Sequence, residues 1–277
     1  MTHASVSETE RTQLEVLLFG RTYLYTMFHK LFGGQIDSAL LDELEGTALS
    51  DVVDEYAAEN QTFAALQEFL DGLRSADQAQ LLDAARDEYT RVFIGPAALP
   101  ASPYEAPYTG RHDMTTFQEN TIKVRRIYAA AGLQAKRLQR VPDDHISLEC
   151  AFVAAQARQT LEAFRAGKWQ ECAEQLRAQG AFVQNHMANW FGAFAKAVRG
   201  SKAAANPVLF PQMLEAAAAF VTQDVTFTVE AAYWADENVE AAQAFEAFEA
   251  LGAAQASLDM LAALHLTGIE DNELVSI

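Results

Sequence analysis

The chain has 277 residues, 50% of them hydrophobic, and a formal net charge of −18 at pH 7. This length can bury one large core or two small ones, and the negative charge argues against nucleic acid and anionic membrane surfaces as partners. Glycine is scarce, with 14 residues, and β-branched runs are nearly absent. The composition therefore predicts an all-α protein, and its acidity suits a basic peptide or protein partner.

Apolar residues recur at helical spacing along most of the chain. The run at 225–229 is strand-like, but it lies inside a helical pattern and does not predict a sheet. Capping residues, glycine and proline divide the pattern into segments. The predicted helices cover 7–33 behind a capping box, 37–45, 50–72 with Ser50 as cap, 75–93 with a capping box of Ser75 and Gln78, 117–132, 143–167, 169–199, 207–235 behind an Asn206-Pro207 cap, and 237–267.

The charge is uneven along the chain. No Lys or Arg follows Lys202, and residues 203–277 hold 12 of the 38 acidic residues. The first 202 residues, with 20 basic and 26 acidic residues, carry a charge of only −6. This asymmetry predicts a helical domain over 1–220 and an acidic helical C-terminal extension over 221–277 that packs on it.

Two features indicate a cytoplasmic protein. Residues 1–11 are polar and acidic, unlike a signal peptide, and no apolar run approaches the roughly 18 residues of a membrane span. Cys150 and Cys172 lie in helical patterns and read as buried thiols in a reducing compartment.

Residues 88–108 form the most unusual segment. Tyr89 and Phe93 are one turn apart on a helix that Gly95-Pro96 should end. Four of the seven prolines lie here, so the loop should be stiff and ordered. It also carries Tyr104 and other apolar groups. Such a loop is either a brace over the core or one wall of a binding groove, and composition alone favours the brace.

Catalytic and metal-binding motifs are missing. The sequence has no HExxH, CxxC or GxSxG motif and no P-loop, which argues against an enzyme and predicts no metal and no cofactor. The cluster Asp143-Asp144-His145 is the one constellation of note. Aspartate at a helix start accepts backbone N–H bonds, and carboxylates also bind arginine. The spacing alone favours capping over ligand binding.

Together, the loop and this cluster resemble the TorD/DmsD/NarJ family of redox-enzyme maturation chaperones. The similar segments are an aromatic helix end followed by Gly95-Pro96, the Ser102-Pro103-Tyr104-Glu105 stretch, and Pro142-Asp143-Asp144-His145-Ile146 with the helix behind it. The resemblance covers roughly residues 10–220. Ser102, Ala106 and Pro107 depart from the family pattern, and the acidic C-terminal region has no family role.

The resemblance implies a helical chaperone fold and no catalysis. Such proteins act in the cytoplasm and bind the N-terminal leader, often a twin-arginine signal, of a molybdopterin-containing oxidoreductase subunit of anaerobic respiration. They hold back its export until the cofactor is inserted. As partners we expect that leader and the apo subunit, with the chaperone a monomer or homodimer. An apolar groove with an acidic rim suits such a leader. The implied site residues are Tyr89, Phe93, Gly95, Pro96, Tyr104, Glu105, Asp143, Asp144 and His145.

Three alternatives stay open. The chain can be a chaperone of the same family that binds a leader without the arginine pair, for an enzyme that stays inside the cell. The chain can be a small-molecule hydrolase or nucleotide-binding protein that uses Asp144 and His145. It can also be a structural helical adaptor, whose partner binding would not depend on the loop.

Overall fold

The computed structural model describes residues 8–58, 60–95, 98–109, 114–136, 141–245 and 274–276. These residues form eleven α-helices, two π-helical turns, one 3-10 turn and a two-stranded antiparallel ribbon. The helices are α1 (Glu8–Phe32), α2 (Ser38–Glu45), α3 (Thr47–Ala57), α4 (Gln61–Leu73), α5 (Gln78–Tyr89), α6 (Ala106–Thr109), α7 (Met114–Ala130), α8 (Ile146–Arg165), α9 (Trp169–Phe182), α10 (Phe191–Arg199) and α11 (Phe210–Phe245). The π turns are Thr90–Ile94 and Val183–Met187, the 3-10 turn is Lys202–Ala204, and the strands are β1 (Leu133–Ala135) and β2 (Leu274–Ser276).

Helix α1 lies at the centre of the core. Residues 21–29 are buried on every side, which is typical of a helix surrounded by other helices. Its main neighbour is α8, whose residues 146–154 are buried as completely. The hydroxyl of Ser147 on α8 donates to the carbonyl of His29 on α1, at 3.2 Å. The all-α prediction is confirmed.

A buried ion pair ties α1 to α11. The Arg21 Nε donates to Asp224 Oδ1 at 2.7 Å, and the Tyr25 hydroxyl donates to Asp224 Oδ2 at 2.8 Å. Arg21 is fully buried and Asp224 is 1% exposed. Because a buried charge is costly without a partner, loss of either member of this pair would destabilise the fold. Helix α11 also packs closely on α9: a Cβ at Gly180 would lie 2.4 Å from the Thr228 hydroxyl.

The start of α11 is capped from a distant helix. The Glu88 carboxylate on α5 accepts the backbone N–H groups of Val208, Leu209 and Phe210 at 2.7–2.9 Å. Three of the donors that a helix start leaves unpaired are thus satisfied by one buried side chain. The predicted Asn206-Pro207 cap is wrong, since the helix begins at Phe210.

Two other caps lie at positions that differ from the predicted ones. Asp77, not Ser75, caps α5 by accepting the Gln80 N–H at 3.0 Å. Ser50 lies inside α3, which begins at Thr47 after Gly46. In both cases the helix bounds were misplaced by a few residues, and the residues at the predicted caps have helical or turn roles instead.

The structure describes only part of the C-terminal region to which the domain prediction refers. Helix α11 continues from Phe210 to Phe245, across the proposed boundary after residue 220, and the strand-like run at 225–229 is helical. Beyond it, most of the predicted 237–267 helices lie outside the described residues. No local pattern predicts the ribbon, in which Gln134 pairs with Val275. The division into a domain and an extension stays a prediction.

Candidate functional site

The helix that leads into the proline-rich loop ends as the sequence predicts. After α5 the chain makes the π-helical turn Thr90–Ile94, and the Gly95 N–H bonds back to the Thr90 carbonyl at 2.8 Å. Gly95 has a φ of 82°, a left-handed conformation that glycine adopts without strain. Pro96 lies outside the described residues.

The predicted aromatic pair at this helix end belongs to the core. Tyr89 and Phe93 stack with ring centroids 4.9 Å apart, which confirms their shared face. Phe93 is 7% exposed and also contacts the rings of Phe32, Phe194 and Phe210. The Tyr89 hydroxyl donates to the Phe32 carbonyl at 3.4 Å. These two rings therefore close the end of the core.

The loop and the segment before α8, which we call the hinge (residues 141–145), are joined directly. Tyr104 and His145 form an antiparallel β-bridge, and their rings meet edge to face with centroids 5.1 Å apart. The Ile146 N–H donates to the Pro103 carbonyl at 3.0 Å. The two motifs that carry the family resemblance, about 40 residues apart in sequence, thus form one unit.

Asp143 is buried and paired within the protein. One of its oxygens, Oδ2, accepts the Arg125 Nε at 2.9 Å and the Arg125 Nη2 at 2.7 Å. The Tyr128 hydroxyl donates to its backbone carbonyl at 3.0 Å. Asp143 is 2% exposed, so its charge is balanced by Arg125 on α7.

Asp144 holds the loop against the hinge. Its Oδ2 accepts the Ala106 N–H at 3.1 Å, its Oδ1 accepts the Thr121 hydroxyl at 2.9 Å, and its carbonyl accepts the Glu105 N–H at 3.0 Å. Burial raises the pKa of Asp144, while the bonds from Thr121 and Ala106 oppose that rise. The side chain acts as a brace among three elements.

Neither aspartate caps α8, so that part of the capping interpretation is wrong. The helix begins at Ile146, which puts His145 at the cap position, and its Nδ1 accepts the Ser147 N–H at 3.2 Å. Burial, helped by nearby His29, lowers the pKa of His145 to about 4. The imidazole is therefore neutral near pH 7, as its acceptor role requires.

Glu105 is the centre of a further buried network. Its Oε2 accepts the Asn120 side-chain N–H at 2.8 Å and lies 3.0 Å from Nδ1 of His186. Glu105 is 1% exposed. The sequence places Glu105 in the acidic rim of a leader groove, whereas its carboxylate is buried and bonded within the protein.

Glu149, which is not among the predicted site residues, extends this network. It is fully buried on α8 and accepts the Trp190 indole N–H at 3.2 Å. Burial raises the pKa of Glu149, and the carboxylates of Glu105 and Asp144 raise it further. The sequence does contain a sign of this role: helical periodicity places Glu149 among the apolar, buried residues of α8.

An open cavity of about 460 Å³ lies between the loop, α7 and the hinge. Its lining is mostly apolar, and we call it the loop–hinge cavity. Arg125 lies at its edge with a side chain that is 42% exposed. The lining residues are Ser102, Tyr104, Ala106, Pro107, Thr121, Ile122, Arg125, Val141, Pro142 and Asp144.

Of the eight predicted site residues that the structure describes, two line this cavity. They are Tyr104 and Asp144. Glu105, Asp143 and His145 are buried beside it and bonded to residues that line it. Tyr89, Phe93 and Gly95 belong to the helix end. The role of the nine predicted residues in leader binding stays a prediction. Among the described residues no group of acids, histidines and cysteines could hold a metal ion.

Comparison with known proteins places the loop and the hinge inside a family match. The model of the nitrate reductase delta subunit family matches residues 53–196, slightly more than half of the chain. The chain belongs to this family of NarJ/TorD-type chaperones. The recognition from the two motifs is thereby confirmed. Helix α11 and the ribbon strand β2 lie beyond the matched residues.

Curated relatives agree with the family. Chaperone protein TorD of Vibrio cholerae El Tor is 26% identical over 188 residues, which cover 66% of this chain and 82% of the relative. TorD of the classical strain O395 matches with the same identity and coverage. No solved structure matches. Since this NarJ/TorD family is one of chaperones and not of enzymes, the prediction that the chain is not an enzyme is supported by its relatives.

Among the described helices, none combines the length and the apolar composition that crossing a bilayer requires.

Proposed function

We propose that this chain is a cytoplasmic maturation chaperone that binds the N-terminal leader of a molybdopterin-containing oxidoreductase subunit. It would hold the apo subunit while the cofactor is inserted and before export. The membership in the NarJ/TorD-type family and the TorD relatives support the chaperone role. Leader binding, release that depends on the cofactor, and the hold on export are parts of this proposal.

The loop–hinge cavity is the observation that supports a leader-binding site. Its volume of about 460 Å³ falls within the range of small-ligand sites, roughly 300–1,000 Å³. Its walls are the rings of Tyr104, Pro107 and Pro142 and the aliphatic side chains of Ile122 and Val141. An apolar stretch of a leader would fit such walls. Because the walls are already held together by hydrogen bonds, little ordering is needed on binding.

The buried acids act in this proposal as braces for the cavity. Asp143 is neutralised by Arg125, and both side-chain oxygens of Asp144 have partners. Leader arginines could reach these carboxylates only by exchanging those bonds. The apolar contact with the leader is therefore assigned to the cavity, and the arginine contact is not assigned to the hinge.

The hydrolase or nucleotide-binding alternative finds less support. Its two proposed groups are Asp144 and His145, both buried. The His145 Nδ1 accepts the Ser147 N–H, and Asp144 bonds to Thr121 and Ala106. These bonds explain both residues as parts of the brace.

The test is calorimetric titration of Tyr104→Ala with a synthetic leader peptide that has an arginine pair and an apolar stretch. We expect the affinity to fall by at least about 1 kcal/mol, the level at which an interface side chain contributes, and the melting temperature to change little. Tyr233→Ala is the matched control, because Tyr233 is 64% exposed and lines neither described cavity. A lower melting temperature with unchanged affinity would make the loop a brace only.

A further inference from the structure

A second groove lies between α1 and α3, about two turns along α1 from the contact of His29 with Ser147 on α8. Its volume is about 150 Å³, and Val16, Phe19, Ala48, Val52 and Tyr56 form its apolar lining. The two helices approach closely at Gly20, where a Cβ would lie 3.4 Å from Val52 Cγ1 and from the Tyr56 hydroxyl. We call it the α1–α3 groove.

Apolar surface at this groove reaches solvent. Val16 at its edge is 47% exposed, which makes it one of the few large aliphatic side chains on the described surface. Tyr56 at its floor is 8% exposed and packs on Phe63 and Phe220, with ring centroids 5.3 and 5.4 Å away. The floor therefore belongs to the rigid core, and the groove is a preformed depression.

Two carboxylates stand at the mouth of the groove. Asp51 and Glu55 line it, are exposed, and are one turn apart on α3. Within the described part of the chain neither forms a salt bridge. Asp143, by contrast, has Arg125 at 2.7 Å. Carboxylates at this spacing can each receive one guanidinium of adjacent arginines.

The surrounding sequence strengthens the negative potential. From Leu31 to Leu73 the chain has ten acidic residues and no Lys or Arg, and the flanking Lys30 and Arg74 pair with only two of these acids, Glu43 and Asp71. A cationic segment would be drawn to this surface before it made contact. An exposed acidic surface alone commonly serves solubility. Here an apolar groove lies within it, which adds a place for an uncharged side chain.

We propose that the α1–α3 groove binds the arginine-bearing part of the leader, with an apolar leader side chain in the groove and the guanidinium groups on Asp51 and Glu55. This inference rests on the proposed function. It assigns arginine recognition to α3 instead of the hinge. The loop–hinge cavity then receives the apolar stretch. The occupant is a cationic and apolar peptide, which matches the groove in both charge and lining.

The test is a double-mutant cycle by calorimetry on the full chain. The protein variant is Asp51→Asn with Glu55→Gln, and the peptide variant replaces both leader arginines with glutamine. For the unchanged protein we expect the arginine-free peptide to bind roughly three- to tenfold more weakly, the scale of two exposed ion pairs. For the groove variant that difference should disappear.

The control variant is Asp54→Asn with Glu68→Gln. It removes the same charge from exposed positions on α3 and α4 that do not line the groove, and it should keep the full dependence on the leader arginines. A groove variant that keeps this dependence would overturn the inference and leave the proposed function intact. So would an unchanged protein that binds both peptides equally, or a self-association of the chain that the groove variant abolishes. No binding of either peptide to the unchanged protein would overturn the proposed function, and the inference with it.

Discussion

The loop–hinge cavity and the α1–α3 groove use carboxylates in opposite ways. At the first, Asp143, Asp144 and Glu105 are no more than 2% exposed and every one is bonded within the protein. At the second, Asp51 and Glu55 are exposed and form no salt bridge among the described residues. An acid next to a binding cavity is thus not automatically available to a ligand. Its burial and its existing partners decide whether it serves the fold or the partner.

The difference has a physical origin. A carboxylate removed from water must regain its hydrogen bonds from the protein, and Asp144 does so from a backbone N–H and a hydroxyl. Such bonds lock the loop to the hinge, but they leave little binding capacity for a client. Exposed carboxylates keep their water, which an arginine can replace at a modest net gain.

The largest expected effect separates these two roles by stability. Asp144→Ala removes the acceptor of two hydrogen bonds, from the Ala106 N–H and the Thr121 hydroxyl, so we expect it to lower the free energy of unfolding by about 2–3 kcal/mol. Asp51→Ala removes an exposed charge and should change it by less than about 0.5 kcal/mol. Urea denaturation of both variants measures this. Equal losses would mean that the two acids do not differ in structural role.

The sequence predicts features that depend on residues close together along the chain. It does not predict contacts between residues that are far apart along the chain. The helical class, the stop at Gly95 and the family relationship follow from local pattern and motif. The partners of Glu88 are about 120 residues away, at the start of α11, and Arg125 lies 18 residues from Asp143. No local rule connects such groups, because only the packed helices bring them together. For the same reason the sequence could not show that the ring of Phe93 packs on Phe194 and Phe210, about 100 residues away or more.

A smaller effect should appear in the pH dependence of stability. Burial beside Glu105 and Asp144 raises the pKa of Glu149 in the folded state above that of an unfolded glutamate, about 4.3. Its contribution to stability is therefore fully present below that value and is lost as the pH rises through the folded-state pKa. Glu149→Gln, which can still accept the Trp190 N–H, should lose less stability on going to higher pH.

Urea denaturation at a series of pH values measures this difference. The unfolding free energy of the unchanged protein should fall more steeply with rising pH than that of Glu149→Gln, by at most about 1.4 kcal/mol per pH unit. Glu171→Gln, which removes an exposed glutamate on α9, should keep the steeper slope. Parallel slopes for the protein and for Glu149→Gln would show that Glu149 is ionised in the folded state.

Amide hydrogen exchange with saturating leader peptide tests the central claim most directly, because it shows where the leader lies. We predict slower exchange in the segments that form the loop–hinge cavity, residues 98–109 and 141–146, and unchanged exchange on the exposed face of α11 around Val229 and Tyr233. A bound leader that leaves both cavity segments unchanged would contradict the assignment of the cavity as the leader site.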